Sequence, residues 1–311
     1  MPALQDIRKG IEDTLPPHEA KRRECLASLY EYTGRDTIIY ASAFTDPGKK
    51  GTPMPPHALS LELGDVQGFM ASLHGLVGDK LDLIVHSPGG SLEATEQIVL
   101  YLREKYEHIR VVVPLAAMSA ATMLACAADE VVMGKHSALG PIDPQITFTD
   151  SHGGQHRAPA QSLMDEVDDC IAGLQNNPPA APYYLQRMER YPAGFVNLCR
   201  TTMQLAEDKA AHWLKSYMFR GDEDADDKAK ELAAWLADAA EHKTHGRPLG
   251  IKELRERGMK VVALEDDAEL QEQALSVFHC TMIHFERTAC VKLIENHQGR
   301  YMSLVLTPPK G

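Results

Sequence analysis

A serine and a Pro-Gly-Gly turn follow two neighbouring apolar runs of this chain. The run Leu81–His86 ends in the turn SPGG at residues 87–90, and the run Ile109–Val113 leads into small residues that hold Ser119. Acyl transfer needs such parts, because a hydroxyl attacks the carbonyl carbon and unshielded backbone N–H groups stabilise the oxyanion that forms. The spacing therefore predicts a nucleophile and an anion-holding turn on adjacent strand ends.

Ser119 is expected just beyond a strand, at the first turn of a helix. Unpaired backbone N–H groups and the positive end of the helix dipole meet at such a position. Gly89 and Gly90 accept positive φ and leave their N–H groups unshielded, so together with Ala120 they are the candidate oxyanion hole. The alternative is purely structural, since serine is also a favoured helix cap.

The elements around these residues alternate between strand and helix. Strand patterns occur at Leu81–His86, Ile109–Val113 and Glu130–Met133, separated by helix-like stretches at Leu92–Tyr106 and Met118–Ala128. This order favours parallel strands joined by right-handed crossovers. The sequence therefore predicts an α/β fold with a parallel sheet.

Outside this unit the pattern is mostly helical or irregular. A strand is expected at Thr37–Ala43, a loop at residues 149–160 and a short strand at Lys260–Leu264. A final helix from about 267 to 295 is expected to complete the chain, because apolar residues recur there at helical spacing.

Three ordered motifs, SPGG, AAMSAATMLACAAD and GPIDPQ, resemble the Clp-protease/crotonase superfamily. The similarity is greatest to signal-peptide-peptidase-A-type serine peptidases and their relatives, the serine dehydrogenase proteinase family. It covers roughly residues 35–150 and continues more weakly through the THGRP and RERGM segments near residues 244–259. In these peptidases an Ala-Ala-Asp follows the nucleophile by ten residues, as Asp129 follows Ser119.

The resemblance implies a catalytic set of Ser, Asp and His in that chain order. These roles fall on Ser119, Asp143 in GPIDPQ and His245 in THGRP. The family's Gly-Gly turn carries the oxyanion role over to Gly89 and Gly90. One departure is Ala120, which follows the nucleophile where the family often has glycine.

The identity of the general base stays open at this point. Signal-peptide-peptidase-A-type enzymes use a lysine well after the serine, but no lysine lies between Lys135 and Lys209. His86, at the end of the SPGG strand, is either a residue that lines the site or a packed histidine. Four further side chains are alternatives to His245, namely Lys135, His136, His152 and His156.

The resemblance also implies a particular architecture. It is a ClpP/crotonase-like spiral of ββα units around a parallel sheet, with an N-terminal helix and C-terminal helical elaborations. We expect an N-terminal helical extension at residues 1–34 and a peptidase domain at residues 35–311, in which residues 161–241 form the helical elaboration.

Composition limits the classes of partner. The 311 residues carry 32 basic and 44 acidic side chains, a formal charge of −12, which does not favour nucleic acid or anionic lipid. The six cysteines lack metal-ligand spacing and indicate a reducing compartment. No signal peptide or membrane span is expected, so the prediction is a cytoplasmic protein without metal or cofactor.

Three functions remain open from the sequence. The first is a cytoplasmic serine peptidase acting on peptide or protein substrates; no GxxxxGK[ST] motif occurs, so its chemistry would be independent of ATP. The second is a non-proteolytic acyl-transfer enzyme of the crotonase branch. The third is a binding or assembly module with a degenerate site. Family members are commonly oligomeric, so the resemblance implies a homo-oligomer.

Overall fold

The computed structural model describes residues 18–46, 55–150 and 153–306. A seven-stranded sheet forms its centre, with two short two-stranded sheets beside it. The strands are β1 (Asp36–Ser42), β2 (Lys80–His86), β3 (His108–Val113), β4 (Ala116–Ala117), β5 (Glu130–Met133), β6 (Ala138–Leu139), β7 (Gln145–Thr149), β8 (Gln155–Pro159), β9 (Val261–Ala263), β10 (Cys290–Asn296) and β11 (Tyr301–Val305).

The helices surround this sheet and supply most of the second half of the chain. They are α1 (His18–Thr33), α2 (Pro56–Leu59), α3 (Asp65–Leu73), α4 (Leu92–Lys105), α5 (Ala120–Cys126), α6 (Ala160–Asn176), α7 (Ala181–Met188), α8 (Phe195–Trp213, continued by a π-helical turn at Leu214–Met218), α9 (Ala225–Ala237), α10 (Ala239–His242), α11 (Ile251–Glu256) and α12 (Ala268–Arg287).

The large sheet runs in the order β11-β10-β1-β2-β3-β5-β9. The five strands from β1 to β9 in that order are parallel to one another, whereas β10 is antiparallel to β1 and β11 is antiparallel to β10. The structure is therefore a mixed α/β fold with a mostly parallel sheet, as the sequence predicts.

Helices cover both faces of the sheet because the central strands are apolar on both sides. In β1, Ile38 and Tyr40 join the core beneath α3 and α4, while Ile39 and Ala41 join the core beneath α1 and α12. This alternation follows from the period of two along a strand. A third, smaller apolar cluster joins the β7–β8 hairpin to α6 and α8.

Two predictions about the second half of the chain are wrong. Residues 149–160 are not simply a loop, because β7 and β8 pair as an antiparallel hairpin with its turn around Gly153. The last helix does not run to residue 295; α12 ends at Arg287, and the chain continues as β10 and β11. The C-terminal elaboration is therefore partly strand.

The N-terminal helix is present as α1, which packs against α12. The part of the expected N-terminal extension before residue 18 lies outside the described residues. No helix among the described residues is long and apolar enough to cross a membrane.

Candidate active site

Ser119 lies on a sharp turn between β4 and α5. Its backbone has φ 53° and ψ −121°, a conformation that L-residues other than glycine rarely adopt. The hydroxyl of Thr122 holds the turn, since it is 2.8 Å from the Ala117 carbonyl oxygen and accepts a hydrogen bond from the Gly140 N–H at 3.0 Å. A strained, well-supported turn of this kind typically marks a functional position.

The Gly-Gly turn touches the serine directly. A Cβ on Gly89 would lie 2.7 Å from the Ser119 Cβ and 2.8 Å from the Ala120 nitrogen, so only glycine fits there. A Cβ on Gly90 would lie 2.1 Å from the carbonyl oxygen of Leu61, which runs alongside as a parallel bridge. The paired glycines are thus next to the serine, as the sequence predicts.

Two backbone N–H groups beside the serine have no acceptor within the described part of the chain. They belong to Gly90 and to Ala120, the first residue of α5. The Gly89 N–H already donates to the Ser87 hydroxyl at 3.2 Å. The N–H groups of Gly90 and Ala120 are therefore the donors available to an oxyanion. Gly89 mainly provides the space that a side chain would otherwise fill.

Asp143 and His245 are far apart in sequence but form a close pair. The His245 Nδ1 lies 2.7 Å from Asp143 Oδ1, and the carboxylate is buried with only 2% of the residue exposed. The other oxygen, Oδ2, accepts a hydrogen bond from the Gln145 side-chain amide at 2.7 Å. The structure thus brings together two of the residues that the resemblance placed in one catalytic set.

This pair fixes the tautomer of His245. An ionised carboxylate only accepts hydrogen bonds, so the Nδ1 facing Asp143 carries a proton. In the neutral imidazole the other nitrogen, Nε2, is then an acceptor. A histidine in this state is ready to take a proton from a hydroxyl group.

Backbone pairing explains how the His245 loop reaches Asp143. Leu139 in β6 and Leu249 form an antiparallel bridge, with N–H···O distances of 3.1 and 2.9 Å. The N–H of Ile142 donates to the Leu236 carbonyl at the end of α9. The segment just before Asp143 is therefore joined to the chain both before and after His245.

Ser119 and His245 line one pocket of about 500 Å³. Ser119 is half-buried, and within the described residues its hydroxyl makes no hydrogen bond to His245. Catalytic hydrogen bonds are often long in structures without substrate and shorten on binding. The remaining wall includes Leu59, Ser60, Gly90, Met123, Ile142, Gln145, Arg157, Thr202, Leu205 and Ala206.

The alternative bases lie elsewhere. Lys135 and His136 are exposed near the end of β5, and His136 Nε2 contacts the Pro114 carbonyl oxygen at 3.0 Å. His156 Nε2 lies 2.9 Å from Asp150 Oδ2 on the β7–β8 hairpin. None of these three lines the pocket, and His152 lies outside the described residues. Of the described candidates, only His245 shares the pocket with Ser119.

His86 is a packed histidine rather than part of the pocket wall. It is fully buried between Phe44 and Phe278, and its Nε2 lies 2.9 Å from the Thr45 hydroxyl. Burial lowers the pKa of the His86 imidazole from 6.5 to about 3. The native protein therefore holds it neutral.

This neutral histidine predicts acid-sensitive stability. Between pH 6.5 and 3 the unfolded chain binds a proton that native His86 does not, so the free energy of unfolding falls as pH falls, by at most about 1.4 kcal/mol per pH unit. Above pH 6.5 both states are neutral and this contribution is constant. Urea unfolding between pH 7.5 and 4.5 should show a flatter pH dependence for His86→Gln than for the parent. Parallel pH slopes would contradict the assignment.

Three side chains of types that can bind a metal ion lie together at a different place. His18, Glu19 and His284 bring three ligand atoms within 4.8 Å of one another, where α1 meets α12. None of these three residues lines the pocket that holds Ser119.

Two features of the site have little signal in the sequence. The first is the contact of Gln145 with Asp143. In the GPIDPQ motif Gln145 follows an Asp-Pro pair, and a polar residue at that place is typical of a turn. Leu61 contacts the Gly-Gly turn from a segment almost thirty residues earlier, and no local pattern reports such a contact.

Comparison with known proteins identifies the family of this region. Residues 72–171 match the model of the ClpP-like SDH-type serine proteinases. The match includes the Gly-Gly turn, Ser119 and Asp143, whereas His245 lies beyond it. The resemblance to ClpP-like serine peptidases is thereby confirmed for this stretch.

Two curated proteins of Methanocaldococcus jannaschii are similar to this chain. Uncharacterized protein MJ1495 is 32% identical over 183 residues, covering 58% of this chain and 51% of the relative. Uncharacterized protein MJ0137 is 29% identical over 206 residues, covering 65% and 60%. The chain thus spans between half and two thirds of the lengths of these relatives.

One solved structure is a serine-to-alanine mutant of the 1510-N membrane-bound stomatin-specific protease. It is 14% identical, with a TM-score of 0.36, and the alignment covers 69% of this chain and 79% of that one.

Proposed function

We propose that this chain, whose residues 72–171 belong to the ClpP-like SDH-type serine proteinases, is a serine peptidase. The observation that carries the proposal is the 2.7 Å contact between His245 and buried Asp143 at a pocket that Ser119 also lines. A hydroxyl, an oriented imidazole and unused backbone donors at one pocket are the parts of nucleophilic acyl transfer. We assign the roles of nucleophile, base and orienting acid to Ser119, His245 and Asp143.

In the first half-reaction, His245 Nε2 takes the Ser119 hydroxyl proton as the Ser119 oxygen bonds to the scissile carbonyl carbon. The carbonyl electron pair moves to its oxygen, and the N–H groups of Gly90 and Ala120 stabilise that oxyanion. The tetrahedral intermediate then expels the amine, which takes the proton from His245. An acyl group remains on Ser119.

In the second half-reaction, water replaces the amine. His245 accepts a proton from the attacking water, and the new tetrahedral intermediate collapses with return of that proton to Ser119. Asp143 stays ionised throughout and stabilises the imidazolium that forms twice per cycle. No step needs a nucleotide, so we propose that the hydrolysis itself is independent of ATP.

The substrate class follows from the shape and lining of the pocket. An extended peptide would lie along the Gly-Gly turn, which lines the pocket beside Ser119. Apolar side chains of Leu59, Met123 and Ile142 form part of the wall, so we propose that peptides with an apolar residue at the scissile bond are accepted.

Location and assembly are further parts of this proposal. All six cysteines are buried and no disulfide joins them, which supports a reducing, cytoplasmic compartment. Self-association into a homo-oligomer is proposed from the family resemblance, and light scattering of the purified protein tests it.

The test of the function uses a fluorophosphonate probe and a quenched fluorescent peptide library, without ATP. We expect covalent attachment of the probe to the Ser119 tryptic peptide and cleavage of a subset of the library. Loss of both activities after pre-incubation with the probe connects the label to the hydrolysis. If the probe attaches elsewhere or not at all, and no peptide is cut, the crotonase-type or binding-module function gains support instead.

A further inference from the structure

A buried ion pair lies directly behind the segment that contacts the Gly-Gly turn. The Lys292 Nζ lies 3.0 Å from both carboxylate oxygens of Asp65 and donates a hydrogen bond of 2.5 Å to the Ser60 carbonyl oxygen. Each charged residue has only 3% of its surface exposed. Three contacts from one ammonium group satisfy its three donors, so Lys292 has a fixed position.

Asp65 in turn fixes the chain just after Ser60. Its Oδ2 accepts hydrogen bonds from the Tyr40 hydroxyl at 2.9 Å and from the Glu62 N–H at 3.0 Å. The segment between Ser60 and Glu62 is therefore held at both ends by one ion pair. Leu61, the residue between them, is fully buried.

Leu61 connects this support to the oxyanion donors. Its N–H donates to the Gly89 carbonyl at 2.7 Å, and its own carbonyl accepts from the Ser91 N–H at 2.8 Å. These two bonds flank Gly90, whose Cα lies so close to Leu61 that no side chain fits. The direction of the Gly90 N–H therefore depends on where Leu61 is held.

We propose that Lys292 and Asp65 are positioning residues for the oxyanion hole, acting through Ser60, Leu61 and Gly90. This inference rests on the proposed peptidase function and extends it to a strand, β10, that carries no residue of the pocket wall. A buried ion pair contributes little net stability compared with apolar replacements, so its presence here calls for a role in fixing geometry. Oxyanion donors act only when they are held in place before the reaction.

The test compares two double variants. Asp65→Asn with Lys292→Met removes both charges together, which avoids leaving one buried charge alone. The matched control is Arg22→Met with Glu295→Gln, since Glu295 is also on β10 and pairs with buried Arg22, away from Leu61. Both variants lose one fully buried ion pair, and the control also loses the partly exposed contact between Arg23 and Glu295. Only the first variant loses the hydrogen bond to Ser60.

The first readout separates oxyanion binding from ordinary binding. The aldehyde carbon of acetyl-Leu-Leu-leucinal bonds to the Ser119 oxygen, the hydroxyl proton passes to His245, and the carbonyl oxygen becomes the oxyanion. The matching alcohol, acetyl-Leu-Leu-leucinol, has no such state. We expect the Asp65/Lys292 variant to lose about 10²-fold in kcat and in aldehyde affinity, with alcohol affinity within about threefold of the parent. The Arg22/Glu295 control should keep the parent's aldehyde-to-alcohol ratio.

The second readout does not depend on catalysis. Hydrogen exchange of the Leu61 and Ser91 amides should be faster by about tenfold or more in the Asp65/Lys292 variant than in the control, because these amides form the bonds that flank Gly90. Lys292→Arg should restore part of the protection and activity. A folded Asp65/Lys292 variant with unchanged exchange and an unchanged aldehyde-to-alcohol ratio would overturn the proposal. The parent could also prove unable to cut peptides or to bind the aldehyde while the Asp65/Lys292 variant still shows faster exchange. That outcome would contradict only the peptidase function.

Discussion

Replacing Ser119 with alanine should lower kcat for peptide hydrolysis by about 10⁶-fold and abolish fluorophosphonate labelling. In the proposed mechanism the hydroxyl oxygen bonds to the substrate, and the adjacent side chains of Met118 and Ala120 carry no hydroxyl or thiol that could replace it. The residual rate should still exceed the rate of uncatalysed peptide hydrolysis in water, because the N–H groups of Gly90 and Ala120 remain. Active-site titration of the parent and product analysis by mass spectrometry measure the difference.

Two further variants serve as controls for this prediction. Ser216→Ala removes a serine in the π-helical turn after α8, outside the pocket, and should leave labelling and hydrolysis at the parent level. Ser119→Gly should be as inactive as Ser119→Ala yet more stable by roughly 1 kcal/mol, because glycine adopts the φ of 53° without strain. Labelling that persists in Ser119→Ala would remove the serine from its assigned role.

The turn that holds Ser119 is predictable from the sequence because its signals are local. The small residues around Ser119 and the adjacent glycines of SPGG are each required by a backbone conformation or a close approach within the same strand–helix unit. Parallel pairing of β2, β3 and β5 follows from the strand–helix order, since each crossover returns the chain to the same edge of the sheet. The order of these strands along the chain therefore predicts that the segments following them lie at the same edge of the sheet.

The C-terminal strands were missed because the chain gives no stop signal. The helix α12 ends with Thr288 in an extended conformation, and neither glycine nor proline occurs between Arg287 and Asn296. The seven residues of β10 are all buried, so they lack the alternation of a half-exposed strand. One of the two partners of β10 is β1, more than two hundred residues earlier, and periodicity carries no information about such a partner.

The sequence predicts a loop in place of the β7–β8 hairpin for the opposite reason. The β8 strand, QHRAP, is polar and mostly exposed, so its composition is that of a connection between elements. The glycines before it serve a hairpin turn, in which Gly153 has φ 84° and Asp150 accepts the Gly154 N–H at 2.8 Å. Arg157 from this hairpin reaches the pocket wall, so the error concealed one of its residues.

Replacing Asp143 with asparagine should lower kcat by about 10³- to 10⁴-fold while the fold is retained. The asparagine amide can present an N–H to His245 Nδ1, which favours the imidazole tautomer with its proton on Nε2 and removes the acceptor for the serine proton. His245→Ala should cost a similar factor, since it removes the acceptor itself. Because the two residues act as one unit, the double variant should be no slower than the worse single variant. Steady-state kinetics on one peptide substrate measure all three.

The matched control is the other Asp–His pair of the chain. His156 Nε2 lies 2.9 Å from Asp150 Oδ2 on the β7–β8 hairpin, but neither residue lines the Ser119 pocket. Asp150→Asn and His156→Ala should therefore leave kcat within about twofold, although a similar contact is lost. If His245→Ala kept the parent rate while His156→Ala, Lys135→Ala or His136→Ala lost it, the proton would pass to that side chain instead. Such a result would mean that the buried Asp143–His245 pair has no part in the chemistry. The hairpin or the end of β5 would then have to move against Ser119 when substrate binds.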